Sequence, residues 1–401
     1  MLSYEYSLIT LVLVDYRFVS GSWFKRCNQM KKLLIFHQAL APYRVDFFNH
    51  LAKRFDAELV LFDTNLVNQK FDQNALVRSL KCRVSYLLGG FQWKDRYFRT
   101  GAIRKIWKER PDIVIGCEYS LVTIAIAFWR FLFRSKFKLY SITDDNIDQF
   151  RSRKGLKVIL RWCFVRLLDG FVVTNSETKS AYEQITPKRS KIKYFIIPIL
   201  HDENEIRKNA EIIIAAGKEW REYHCNGVAK VVLFVGRLNE VKNVKWLVVN
   251  IRKFHDGLRL VLVGSGPQEE ELKKYLVDHD VKNVLLVGRK EGREVYEMMS
   301  MADCLILSSK FEPYGAVVGE ALQWGTPCLV SDKVGAKGLI VSSEGVKNGE
   351  VFSINDGEDF AEKLFKVLGM KRPSGSLIGD ELGRSVDGMC DEMLKGGGNA
   401  A

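Results

Sequence analysis

Two carboxylates eight positions apart, Glu312 and Glu320, stand in the segment Ser309-Lys310-Phe311-Glu312-Pro313-Tyr314-Gly315-Ala316-Val317-Val318-Gly319-Glu320-Ala321-Leu322. Pro313 suits a first helical turn, and Gly315 lets a ligand approach the free N–H groups of residues 315 to 317. Those amides can cradle a phosphate or sugar oxygen. Glu312 then accepts bonds from sugar hydroxyls, and Glu320 from a ribose diol. If residues 312 to 320 were all helical, the carboxylates would be separated by about 12 Å of rise. That is too far for the paired carboxylates of a glycosidase. The plain alternatives are a helix-dipole contact for Glu312, worth under ~1 kcal/mol, and a solvated helix position for Glu320. Neither accounts for Glu320 among Val318, Gly319, Ala321 and Leu322 on a helix poor in charge.

A second constellation is Val235-Gly236-Arg237-Leu238-Asn239-Glu240-Val241-Lys242-Asn243, which leaves a strand, turns at Gly236 and opens a helix. Arg237 as a planar fork and Lys242 as a mobile point charge suit the two phosphates of a diphosphate at a helix N-terminus. Ordinary surface cations are the alternative. A third segment, Leu262-Val263-Gly264-Ser265-Gly266-Pro267, is a glycine turn before an acidic helix start. G-x-G is weak by itself, because any tight βα turn can require glycine. Arg289 is a further donor-side candidate. In the first half, His37 at the end of the first strand, Tyr43, Arg44 and Glu118 are the candidates for an acceptor wall. Asp144-Asp145 reads as a loop or capping pair rather than a metal site.

These side chains need a scaffold that brings strand ends together. Short apolar, β-branched runs alternate with amphipathic stretches along the whole chain, the pattern of βα units in parallel sheets. At 401 residues, two domains are expected. We place a leader at 1–29, an N-terminal acceptor-side Rossmann-like domain at 30–200, a connection at 201–228, a C-terminal nucleotide-binding domain at 229–370 and a frayed tail at 371–401. The fold class is α/β, with two parallel sheets whose carboxyl ends face an interdomain cleft. Met30 is the expected functional start, since Glu5 and Asp15 interrupt the leader's apolar stretch and no basic n-region precedes it.

Composition narrows the partners. The net charge of +13 and pI of about 9.2 point to anionic surroundings, be they nucleic acid, lipid or phosphorylated small molecules. Cations and aromatics mix at Arg104-Lys105-Ile106-Trp107-Lys108 and Trp129-Arg130-Phe131-Leu132-Phe133-Arg134. They are either solvated helix faces or a surface resting on an anionic membrane. Eight cysteines without a C-x-x-C favour reduced thiols in a cytosolic protein, and six histidines form no metal-ligand pattern. No apolar run reaches the ~18 residues of a membrane span.

The ordered set of Gly236-Arg237 with Lys242, the Gly264-Ser265-Gly266-Pro267 turn, Glu312-Pro313-Tyr314-Gly315 with Glu320, and Gly325-Thr326-Pro327 resembles the retaining glycosyltransferases of family 4, which have the GT-B fold. The match is specific over about residues 230 to 335. Ala41-Pro42-Tyr43-Arg44-Val45-Asp46 is more loosely similar to members that build bacterial polysaccharides. The resemblance implies that Arg237 and Lys242 bind the donor diphosphate, that Glu312 contacts the donor sugar, and that Glu320 binds the ribose. It further implies hexosyl transfer with retention, no cofactor and no metal, the leaving diphosphate being neutralised by cations and helix-end amides.

Three departures accompany it. Cys117-Glu118 replaces a frequent histidine, Asn243 stands where glycine is common, and a junction asparagine is missing from Ile197-Pro198-Ile199-Leu200-His201. The expected partners are a nucleotide-sugar donor, a glycan or lipid-diphosphate-linked acceptor and an anionic membrane face, but not nucleic acid, for which no recognition element is apparent. A nucleotide-sugar epimerase is the rival enzyme. A dinucleotide oxidoreductase lacks its G-x-G-x-x-G after Phe36 and after Val263.

Overall fold

Runs such as Leu33-Leu34-Ile35-Phe36 and Val231-Val232-Leu233-Phe234 show no polar alternation, and both become strands buried on two faces. A computed structural model describes residues 30–395 except 66–70, 94–95, 145–146, 153–155, 188–189, 255–256 and 341–346. The leader 1–29, with Cys27, and Asp145 lie outside the described residues.

The first domain runs β1 (Lys32–His37), α1 (Pro42–Arg54), β2 (Asp56–Leu61), α2 (Gln73–Ser79), β3 (Arg83–Tyr86), a hairpin of β4 (Gly90–Trp93) and β5 (Arg96–Arg99), α3 (Ala102–Glu109), β6 (Ile113–Cys117), α4 (Leu121–Phe133), β7 (Lys138–Ile142), α5 (Ile147–Ser152), α6 (Leu156–Val165), β8 (Gly170–Val173), α7 (Ser176–Ile185) and β9 (Lys193–Ile196). Seven strands form a parallel sheet in the order β3-β2-β1-β6-β7-β8-β9. The second domain contains α8 (Glu203–Ile206), α9 (Ala210–His224), β10 (Lys230–Val235), α10 (Val244–Ile251), β11 (Leu258–Val263), α11 (Glu269–Asp278), β12 (Val284–Gly288), α12 (Arg293–Met301), β13 (Cys304–Leu307), α13 (Ala316–Gln323), β14 (Cys328–Ser331), β15 (Gly349–Phe352) and α14 (Gly357–Leu368). Its six parallel strands order as β12-β11-β10-β13-β14-β15. Each sheet therefore reverses its strand order once, between β1 and β6 and between β10 and β13. Crevices at such reversals are where open α/β sheets bind ligands.

Two boundaries differ from expectation. The connection 201–228 holds α9, whose Ile213 is buried with Val231, Met298 and Leu305 in the C-terminal core, as is Cys225 just beyond it. The 371–401 tail is not frayed throughout. It carries α15 (Glu381–Leu394), which returns to the N-terminal domain and buries Leu382, Val386, Met389, Cys390 and Met393 with Leu33 and Phe47. Arg54 on α1 holds the returning helix through Asp387 and Asp391. The seven described cysteines are free thiols, and no described helix is long and apolar enough to cross a membrane.

Candidate functional site

At the β10/β13 reversal, the loop after β10 meets the loop after β13. Asn239 accepts a bond from the Lys242 N–H at 3.1 Å and caps a short 3-10 turn, Glu240–Lys242. This turn presents the Lys242 ammonium to the Glu312 carboxylate, with which it forms a part-buried ion pair. Ser309 donates to the same carboxylate at 3.4 Å. Arg237 is exposed beside this pair in sequence and forms no ion pair among the described residues. Asn243 adopts φ +57, a left-handed conformation that asparagine tolerates, which explains how it stands in for glycine.

Gly264 and Gly266, expected on the donor side, owe their identity to packing. A Cβ on Gly264, at φ +146, would lie 1.8 Å from the Gly236 carbonyl oxygen, and one on Gly266 would lie 2.4 Å from that of Leu238. The two βα turns thus rest backbone on backbone, joined by the Leu238 N–H to Ser265 carbonyl bond of 3.0 Å. Arg289 stands apart, exposed at the end of edge strand β12 and paired with Glu291.

α13 begins where the sequence places it, at Gly315, but Pro313 is not part of it. Gly315, at φ +93, is its N-cap, so Pro313 lies in the preceding loop rather than in the first turn, and the carboxylates are not joined by a continuous helix. Leu307, Glu312 and Val334 would crowd a Cβ at Gly315 at 3.0 to 3.2 Å, in a backbone conformation that L side chains rarely adopt. Among the described residues no side chain caps the helix; the first N–H to bond back is that of Val318, to the Gly315 carbonyl at 3.0 Å. The Gly315, Ala316 and Val317 N–H groups have no partner among the described residues. Free amides at the positive end of a helix, beside a lysine, make an anion site.

Tyr314 is turned away from this opening. It is buried, and its hydroxyl accepts the Ile199 N–H at 2.9 Å, fastening the interdomain strand of chain to the C-terminal domain. Glu320, on the second turn of α13, lies 3.4 Å from His201 Nε2, while His201 Nδ1 lies 3.0 Å from Asp46 on α1. Burial opposes charge on this imidazole, yet bonds to Asp46 and Glu320 hold its pKa up at about 10. His201 is therefore an imidazolium donating to one carboxylate from each domain. Sequence reasoning passed over it because a single histidine in a linker follows no pattern.

The N-terminal wall gathers at the β1/β6 reversal. His37 Nδ1 donates to the Ala39 carbonyl at 3.0 Å, and burial, then the Arg44 charge, bring its pKa down to about 4. The ring is neutral, with Nε2 as its acceptor nitrogen. Arg44 is buried, pairs with Asp144 and leaves its Nε without a partner, so it organises the wall rather than lying open to an acceptor. Tyr43 reaches the C-terminal core, and burial raises its pKa. Glu118 sits just past β6 at φ +47, strained for a non-glycine residue, with its N–H on the Ile142 carbonyl at 2.7 Å. Both Tyr43 and Arg44 feel its charge.

Residues 218–375 match the family model Glycosyl transferases group 1. The matched stretch takes in most of the C-terminal domain, which is thus similar to group 1 glycosyltransferases. An uncharacterized glycosyltransferase of Methanocaldococcus jannaschii is 26% identical over 201 residues, 50% of this chain and 56% of that protein. A second from the same organism is 32% identical over 114 residues, 28% of this chain and 29% of that protein. The chain thus spans at most about half the length of these curated relatives.

Among solved structures, Anabaena HepE in complex with UDP and glucose is similar with a TM-score of 0.61 at 16% identity, covering 90% of this chain and 95% of that one. The lipopolysaccharide outer core galactosyltransferase WaaB has a TM-score of 0.64 at 16% identity, covering 90% and 99%. At such identity the likeness carries the fold, and that fold is GT-B: two Rossmann-like domains with parallel sheets.

Proposed function

We propose that this chain is a retaining glycosyltransferase that moves a sugar from a nucleotide-diphosphate sugar to a glycan or lipid-linked acceptor in surface polysaccharide biosynthesis, with no metal. One observation carries the reading: the Lys242–Glu312 pair lies at the sheet's reversal, next in sequence to the uncapped start of α13. A diphosphate entering there takes Lys242 from Glu312, gains Arg237 and the free amides, and leaves Glu312 to accept hydroxyl bonds from the sugar. Glu320 takes the ribose diol. The bond from the anomeric carbon to the diphosphate breaks, the acceptor oxygen bonds that carbon, and the acceptor proton leaves. His37, held weakly basic, is a poor base for that proton, and the departing phosphate oxygen is the better acceptor. Charge-assisted bonds from two cations, at about 1.5 to 3 kcal/mol each, stand in for a divalent ion as leaving-group charge develops. HepE is described with UDP and glucose and WaaB as a lipopolysaccharide galactosyltransferase, which supports this class of donor and role. The acceptor lies against the N-terminal wall, and the enzyme works peripherally at the cytosolic face of a membrane.

A panel of nucleotide sugars screened for hydrolysis, with product analysis, tests this reading. Release of nucleoside diphosphate that collapses in Glu312→Gln is expected. Conversion of one nucleotide sugar into its epimer would replace the transferase with an epimerase, and no turnover of any donor with any glycan acceptor would refute both.

A further inference from the structure

Helices α3, α4 and α6 cover one face of the N-terminal sheet and turn Ile106, Val122, Ile126 and Phe164 into a shared core. The outward side of such a layer is ordinarily polar. Here it is not. α4 reads LVTIAIAFWRFLF, and its one charge, Arg130, turns back to Asp169 at 2.7 Å. Its outer side exposes Phe128, Phe131, Leu132 and Phe133 at 60 to 67%. Alongside, α6 exposes Ile159 at 57% and Trp162 at 41%, and α3 exposes Trp107 at 69%. Soluble surfaces rarely gather this many large apolar side chains in one place without a partner.

The charge of the same region says what the partner is. Residues 90–168 hold 17 Lys and Arg against 7 Asp and Glu, so ten of the chain's 13 net positive charges fall within it. Arg104, Lys108, Arg134, Lys136 and Arg166 are exposed on or just beyond the helices that carry the apolar residues.

We propose that the outer face of α3, α4 and α6 rests on a bilayer containing anionic lipid, its aromatic and aliphatic side chains in the interface and its cations among the headgroups. This deepens the reading of the chain as an enzyme working at a membrane, and rests on it for the biological setting alone. A second copy of the chain is disfavoured as occupant, since two such faces would set the exposed Arg104, Lys108, Arg134, Lys136 and Arg166 of each against those of the other. A nucleic acid would satisfy the cations and leave Leu132 and Ile159 against phosphate and water. A bilayer accommodates both kinds of side chain at once.

The test is sedimentation of the full-length chain with vesicles of phosphatidylcholine alone or with about 30% phosphatidylglycerol, at about 0.05 and 0.5 M salt. Binding about tenfold stronger to the anionic vesicles, and weakened by salt, is expected. Phe128→Glu with Phe131→Glu should lower binding about tenfold or more. Arg134→Glu with Lys136→Glu should remove part of the preference for anionic lipid, and Val277→Glu, on the C-terminal domain and 80% exposed, should change nothing. Thermal stabilisation by nucleoside diphosphate without lipid is measured on every variant. It should stay at the wild-type value, which also certifies the fold, and its absence in wild type would fault the donor site rather than this face. Equal vesicle binding by wild type and the Phe128/Phe131 variant overturns the proposal. So does equal binding to neutral and anionic vesicles, or a wild-type dimer that the same variant dissolves while neither binds lipid.

Discussion

The two walls of the cleft solve the placement of charge in opposite ways. On the C-terminal side, both partners of the pair keep some contact with solvent: Lys242 and Glu312 have 19% and 13% of their side chains exposed, beside amides with no partner among the described residues. On the N-terminal side, Arg44 is sealed at 2% exposure and Asp144 alone reaches solvent at 37%. An ion pair at an opening can be exchanged for a ligand, whereas one with a sealed partner holds the fold. The first wall is built to bind, the second to shape.

This contrast can be broken most severely where the binding wall is seated. Gly264→Ala should cost about 3 kcal/mol in urea unfolding and disrupt nucleotide binding, because its Cβ would meet the Gly236 carbonyl at 1.8 Å. Retention of full stability would mean that the two turns are not pressed together. Next comes Arg44→Met, expected to destabilise by about 2 kcal/mol, tempered by the solvent at Asp144, while nucleoside diphosphate affinity stays at the wild-type value. A fall in affinity without a fall in stability would erase the distinction between the walls.

Glu312→Gln sharpens the comparison in another direction. It frees Lys242, so nucleoside diphosphate should bind as well as or better than to wild type, while sugar release drops by about tenfold or more. Weaker binding would show that Glu312 orients Lys242 rather than competing for it. The smallest effect concerns His201, which joins the walls. Its folded pKa of about 10 lies above the ordinary 6.5, so the stability it contributes is complete below about 6.5 and is lost as pH rises through about 10. Thermal melts across that window should show wild type losing more than His201→Gln; parallel curves would remove His201 from the junction.

How far the sequence revealed this molecule follows from where each signal was written. Glu312, Gly315 and Glu320 share one segment, so their spacing along the chain approximates their spacing in space. Buried parallel strands announce themselves as unbroken apolar runs, as at Val231 to Phe234. The start of α13 at Gly315 was legible too, but Pro313, which fits a first turn locally, lies outside it, because the cap is Gly315, whose left-handed backbone and crowded surroundings exclude a side chain. α15 was read as frayed although Leu382, Val386, Met389, Cys390 and Met393 follow a helical stripe, since Gly383 and Gly388 weaken its propensity. The stripe finds its partner only some 330 residues away in sequence, on α1. His201, Asp46 and Glu320 come from three separate segments, and no spacing could have joined them.

The most direct test of the diphosphate site is calorimetric. The nucleoside diphosphate that best stabilises the chain is titrated into wild type and into Arg237→Ala, Lys242→Ala and Glu320→Ala. Each substitution should weaken binding by about tenfold or more, as expected for the loss of a charge-assisted bond. Affinities equal to wild type in all three would contradict the account.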